Sequence, residues 1–226
     1  MPFVPHPASR VPRHCAGVAL AGGASTRFGG VPKGFAVVDG RRVVDRVLDA
    51  LRPVVDELLL ITNDPTVQGA LPEVVARPDV RAERSSLVGL HSALTYGRDG
   101  VLVVAWDMPF VPHALLARLR ELGEGASAAA IPVGPDGPEP LCAYYPRSAL
   151  EIVERQLDRG EMRLAALVNA LPQKVLLSPD GVAAFGPVTR LFANVNSAAD
   201  LLAVQQLEGG AENAADSQHG TSAEHR

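Results

Sequence analysis

Short apolar runs alternate with helical patterns along most of this chain, and that alternation limits the folds open to it more than any single motif. Residues 16–20 read as a strand, 43–51 as a helix and 57–62 (ELLLIT) as a second strand, which makes one β-loop-α-β unit. A weaker strand is predicted at 74–76, a helix at 87–96, and a strongly apolar strand at 101–105 that ends in Trp106-Asp107. A helix over 112–122, a strand over 128–133 and an apolar stretch at 141–145 follow. Helices near 148–158 and 163–170 then lead to strands at 174–177 and 192–195 and a last helix over 197–207. Such alternation predicts an α/β fold: a three-layer, Rossmann-like, mostly parallel sheet with helices on both faces. Ligands in that architecture bind outside the carboxyl ends of the strands.

A glycine-rich loop behind a short apolar run occupies that position. VALAGGASTRFGGVPKGF, residues 18–35, places glycines, Arg27 and Lys33 directly after the first strand. Glycines let backbone N–H groups approach a ligand closely, and successive N–H groups form a concave set of donors for phosphate oxygens. A guanidinium grips two such oxygens and an ammonium acts as a point charge, the combination a triphosphate requires. An ordinary glycine-rich turn with solvated basic residues accounts for the glycines alone. Two common nucleotide loops are excluded by spacing. Lys33 is followed by Gly34 where a P-loop needs Ser or Thr, and four residues separate Gly23 from Phe28 where a G-x-G-x-x-G fingerprint needs another glycine.

Composition narrows the partners. A formal net charge of -4 over 226 residues gives no overall reason to bind a polyanion, so nucleic acid is disfavoured. No apolar run reaches the roughly 18 residues of a membrane span, and the N-terminus lacks an apolar signal core. With two widely spaced cysteines, Cys15 and Cys142, the chain shows neither a zinc site nor a disulfide framework, which fits a reducing, cytoplasmic setting. Residues 1–14 are broken by prolines, and 209–226 contain no large apolar side chain. Both read as disordered tails around one domain at 15–208.

Three segments carry a family resemblance. LAGGASTRFGGVPKG resembles the signature loop of nucleotidyltransferases with the nucleotide-diphospho-sugar transferase fold, and within that group it is most similar to molybdenum cofactor guanylyltransferases. AWDMPFVP (105–112) resembles the family's C-D-x-P-F/Y segment, with Trp106 in place of its cysteine. FANVNSAADL (192–201) resembles F-x-N-V/I-N-T-P-E-D/E-L. The resemblance implies transfer of GMP from GTP to molybdopterin phosphate, with release of pyrophosphate and formation of the guanine dinucleotide cofactor. GTP and molybdopterin would be the substrates, and other cofactor-assembly proteins possible partners.

On this reading Arg27, Lys33 and Asp107 are the catalytic candidates. Asp107, at a strand's carboxyl end, can hold Mg²⁺ against the nucleotide phosphates, although a strand-terminal Asp also serves simply as a turn cap. Asn196 joins it as a metal-shell candidate, with helix capping by Asn196 or Ser197 as the alternative. Leu20, Ala21, Gly22, Gly23, Asn63 and Asp79 complete the nucleotide site, since an Asp carboxylate matches the N1 and N2 donors of guanine. Pro140, Leu141, Arg163 and Asn194 are the acceptor candidates. Glu139 stands where the family often has His or Gln, and Ser85-Ser86 replace a Gly-Pro pair. Cytidylyl transfer to the same pterin, a sugar-phosphate nucleotidyltransferase and a catalytically silent nucleotide-binding scaffold are the rival readings.

Overall fold

The protein was analysed as a computed structural model, which describes residues 13–21, 27–28 and 31–195. Eight strands form the main sheet: β1 (Cys15–Leu20), β2 (Glu57–Ile61), β3 (Val75–Arg77), β4 (Gly100–Ala105), β5 (Ala129–Gly134), β6 (Gly137–Pro138), β7 (Cys142–Pro146) and β8 (Lys174–Leu177). Their order is β6-β5-β7-β4-β1-β2-β3, with β8 added alongside β5. Pairings of β1 with β2 and β4, of β2 with β3, and of β5 with β8 are parallel. The apolar stretch before residue 146 forms β7, which runs antiparallel between β4 and β5. The expected mostly parallel α/β sheet is therefore present, with β7 reversed near its middle and the short β6 reversed at its edge.

Helices cover both faces because the strands are apolar on both. Along β1, Cys15 and Ala19 join one core with Leu102 and Val104 of β4, while Ala16, Val18 and Leu20 join the other with Val101 and Val103. Strand side chains alternate between faces, so a strand buried on both reads as a continuous apolar run. Against the first face pack α1 (Val43–Leu51) and α4 (His113–Ala126). The second face is covered by α3 (Ser86–Tyr96), α5 (Leu150–Asp158) and α6 (Leu164–Ala170). Short helices α2 (Pro65–Gly69), α7 (Pro179–Ala183) and α8 (Val188–Leu191) complete the described elements, with two small hairpins, Arg27–Phe28 with Val31–Pro32 and Val37–Val38 with Arg41–Arg42.

Residues 192–195 depart from the expectation of a strand. Pro187 starts α8, Phe192 ends it in a turn and is buried in the core, and no strand is formed over 193–195. Both edges of β4 are already taken by β1 and β7, which leaves no ladder for this segment to extend. It crosses the sheet's rim instead, with Val195 N–H donating to the Asp107 carbonyl at 2.9 Å. The helix predicted at 197–207 lies outside the described residues. Arg13 and His14, assigned by sequence to a tail, reach the folded body: the Arg13 guanidinium donates to Ser127 Oγ at 3.1 Å and His14 N–H to Asp99 Oδ2 at 2.9 Å.

Candidate active site

Strands β1, β2, β3 and β4 run parallel, so their carboxyl ends share one rim. Backbone hydrogen bonds hold that rim in register: Ala21 N–H donates to Ile61 O at 2.9 Å, Thr62 N–H to Arg77 O at 2.9 Å, and Trp106 N–H to Leu20 O at 3.2 Å. Each expected nucleotide-site segment therefore begins at the same edge of the sheet. Gly22, Gly23 and Asn196 lie outside the described residues. The backbone of Arg27 sits in the first small hairpin.

Lys33 opens a 3₁₀ turn, Lys33–Phe35, closed by Ala36 N–H donating to Lys33 O at 3.0 Å. The turn rests on Trp106, which is 4% exposed. A Cβ placed on Gly34 would lie 2.3 Å from Trp106 Cε3, so only a glycine permits this contact. Phe35 flanks the indole at 6.3 Å between ring centroids, and the Arg42 guanidinium caps Phe35 from 5.4 Å. The turn is thus braced against the residue preceding Asp107. Burial pushes the Asp107 carboxyl above the usual range, while its own backbone N–H and the Lys33 charge pull the other way. Lys33 and Asp107, distant in sequence, act on each other electrostatically.

A cavity of about 310 Å³ opens beside Asp107. Leu20, Pro140, Leu141 and Asn194 line it with Asp107, which brings together residues that the sequence assigned to three different roles. Leu141 O accepts from Ala105 N–H at 2.8 Å, and this bond fixes the Pro140-Leu141 wall to the end of β4. The hydrogen bond from Val195 N–H to Asp107 O holds the chain beside Asn194, which lines the cavity. Arg163 is not part of the wall: its guanidinium grips Glu161 through Nε at 2.9 Å and Nη2 at 2.6 Å, and its side chain is 79% exposed. Leu164, the next residue, lines the cavity in its place.

Asn63 and Asp79 meet at the far side of the rim. Asn63 Nδ2 donates to Asp79 Oδ2 at 2.7 Å, and Asp79 N–H donates back to Asn63 Oδ1 at 2.8 Å. Ser92 Oγ adds a longer bond to Asp79 Oδ1 at 3.3 Å. Each carboxylate oxygen keeps a lone pair, so an oriented carboxylate remains available to a ligand with adjacent N–H donors. The Ser85-Ser86 replacement has a local account: Ser85 Oγ accepts from Val88 N–H at 3.2 Å and caps α3. Beyond it, Arg81 pairs with Asp158 at 2.7 Å, tying the segment after Asp79 to α5.

Sequence reasoning did not single out Gly89, Ser92 or Leu164 as part of this region, and noted Ser86 and Glu139 only as departures from a pattern. Glu139 carried a signal all the same, being the one carboxylate in the run PEPLCAYY. Glu139, like Asp107, lines the cavity. Among the described residues no group of three His, Cys, Asp or Glu side chains is arranged to hold a metal ion without a ligand's help. No described helix is long and apolar enough to cross a membrane.

A family model for the MobA-like NTP transferase domain matches residues 17–175. The chain belongs to this family. It is 36% identical over 186 residues to a molybdenum cofactor guanylyltransferase of Desulfosudis oleivorans, a match that covers 82% of this chain and 91% of the relative. Among solved structures it is similar to molybdopterin-guanine dinucleotide biosynthesis protein A of Archaeoglobus fulgidus, with a TM-score of 0.72 and 28% identity over 87% of this chain and 99% of that one. A 4-diphosphocytidyl-2C-methyl-D-erythritolsynthase of Anaerococcus prevotii has the same fold, with a TM-score of 0.64 at 13% identity over 87% of this chain and 96% of that one. The protein is accordingly a nucleotidyltransferase of the nucleotide-diphospho-sugar transferase fold. Enzymes of this kind commonly use a divalent metal.

Proposed function

We propose that the protein transfers GMP from GTP to the terminal phosphate of molybdopterin, releasing pyrophosphate. The observation that carries this reading is the meeting of Lys33 and Asp107 at the rim beside a cavity with room for a second ligand, in a chain similar to guanylyltransferases. An oxygen of the acceptor phosphate forms a bond to the α-phosphorus as the bond from that phosphorus to the bridging oxygen breaks, and pyrophosphate departs in line. Phosphoryl chemistry of this kind asks little covalent work of the protein, so positioning and charge stabilisation make up its contribution.

Arg27 and Lys33 hold the triphosphate, Lys33 beside the departing charge. The amides of 20–23 cradle the phosphates. Asp79, steadied by Asn63, accepts the N1 and N2 donors of guanine. Pro140, Leu141 and Asn194 border the acceptor, and Arg163 reaches its phosphate by exchanging Glu161 for it. Asp107 fits Mg²⁺: a single hard oxygen donor with an amide neighbour suits a cation that completes its shell from substrate phosphates and water. Asn196 supplies a further oxygen. Bound there, the ion would offset phosphate charge so that an anionic nucleophile can approach.

The test is incubation of the protein with molybdopterin, Mg²⁺ and either GTP or CTP, with pyrophosphate and dinucleotide product measured together. Product with GTP alone is expected. Product with CTP alone overturns the guanine assignment, and the absence of product with both nucleotides overturns the transfer to this acceptor.

A further inference from the structure

One carboxylate at the rim is used neither by the fold nor by the transfer just described. Glu139 follows β6, and its backbone is held on both sides: its N–H donates to Pro132 O at 2.9 Å, and its carbonyl accepts from Cys142 N–H at 3.0 Å. The side chain is seated over Gly134, where a Cβ would come within 2.5 Å of Glu139 Oε1. Any larger residue at 134 would displace it. Burial pushes the Glu139 carboxyl above the usual range, and Asp136, a charge of the same sign, pushes it further. Among the described residues no cation or donor offsets the cost of ionising it. A held carboxylate with unmet accepting capacity, facing a cavity, calls for a ligand that donates.

The strand order says which part of the reaction it faces. Asp107 ends β4 near the centre of the sheet, and Asp79 follows β3 at one edge. Glu139 leaves the β5–β6 hairpin on the opposite flank, next to the Pro140-Leu141 wall. The phosphates belong over the centre, between two carboxylates. We propose that Glu139 is a specificity-determining residue for the acceptor, its carboxylate accepting hydrogen bonds from the N–H donors of an aminopyrimidinone edge. Guanine and a pterin share that edge. One carboxylate then reads it in the nucleotide and the other reads it in the acceptor, on opposite sides of the bond being made. The inference deepens the transfer reading and rests on it.

Free pterin is the probe, against lumazine, in which a 2-oxo group replaces the 2-amino donor. Each is titrated by its own fluorescence into protein whose nucleotide site is filled with a non-reacting α,β-methylene analogue of GTP. The wild type should prefer pterin by about tenfold or more, the discrimination expected when a buried acceptor loses its donor. Glu139→Gln should abolish that preference while leaving the affinity for the GTP analogue unchanged. Equal binding of the two probes by the wild type, no binding of either, or a preference that survives in E139Q overturns the proposal. A parallel loss of GTP-analogue affinity in the variant also overturns it, by putting Glu139 on the guanine. The measurement reads equilibrium binding, so it stands apart from GMP transfer, which the molybdopterin assay decides.

Discussion

At the scale of single residues, Asp107 carries the most pointed expectation. Its carboxyl is raised chiefly by burial, so its charge is unfavourable to the fold and useful only to what binds there. Asp107→Asn removes the charge and retains the shape. Turnover should fall by roughly two orders of magnitude or more, whereas the melting temperature should hold or rise slightly. A variant that loses stability and activity together would assign Asp107 to the fold. An unchanged rate would remove it from the site. Asp79 differs, because Asn63 and Ser92 hold it in place before any ligand arrives.

At the scale of elements, the 3₁₀ turn Lys33–Phe35 is the joint between the glycine-rich loop and the end of β4. Packing of Gly34 flat on an indole is a constraint of shape, and overpacking a buried contact of this kind costs roughly 1–3 kcal/mol. Gly34→Ala should therefore lower stability by that amount and weaken GTP binding, since Lys33 moves with the turn. Trp106 is the chain's one tryptophan, so its emission reports the displaced indole directly. Unaltered emission and GTP affinity in the variant would show that the turn is free of Trp106. The replacement of the family's cysteine by Trp106 thus acquires a physical role, as the surface on which the turn is braced.

Across the whole molecule, Cys15 on β1 and Cys142 on β7 are free and buried. Burial raises the Cys15 thiol from its ordinary 9.0 to about 12, with Arg120 opposing the shift, and raises Cys142 as well. Native protein at pH 8 should give no reaction with a thiol reagent, and denatured protein should give two equivalents, the chain's full complement. Linkage sets the sign of the pH dependence. Unfolded thiols ionise near pH 9.0 while folded Cys15 keeps its proton to about 12, so this contribution to stability is complete below pH 9.0 and declines above it. Denaturant midpoints measured from pH 8 to pH 11 should fall accordingly. A flat profile would mean that the thiols are not buried as described.

The order of apolar runs and helical periods determined the fold class. The sequence-predicted helix over 43–51 coincides with α1 (Val43–Leu51), and the strand over 174–177 coincides with β8 (Lys174–Leu177). Local spacing suffices there because periodicity is a property of neighbouring residues. Motif resemblance singled out Lys33, Asp107, Pro140, Leu141 and Asn194 as candidates, and the structure brings them to one rim. Only tertiary structure decided the reversal of β7, the absence of a strand over 193–195, the pairing of Asn63 with Asp79, the seat of Gly34 on Trp106 and the exposure of Glu139 to the cavity. Each of these depends on which edge is free or which side chain arrives from elsewhere in the chain. Such information is held in packing between distant segments, and local pattern carries none of it.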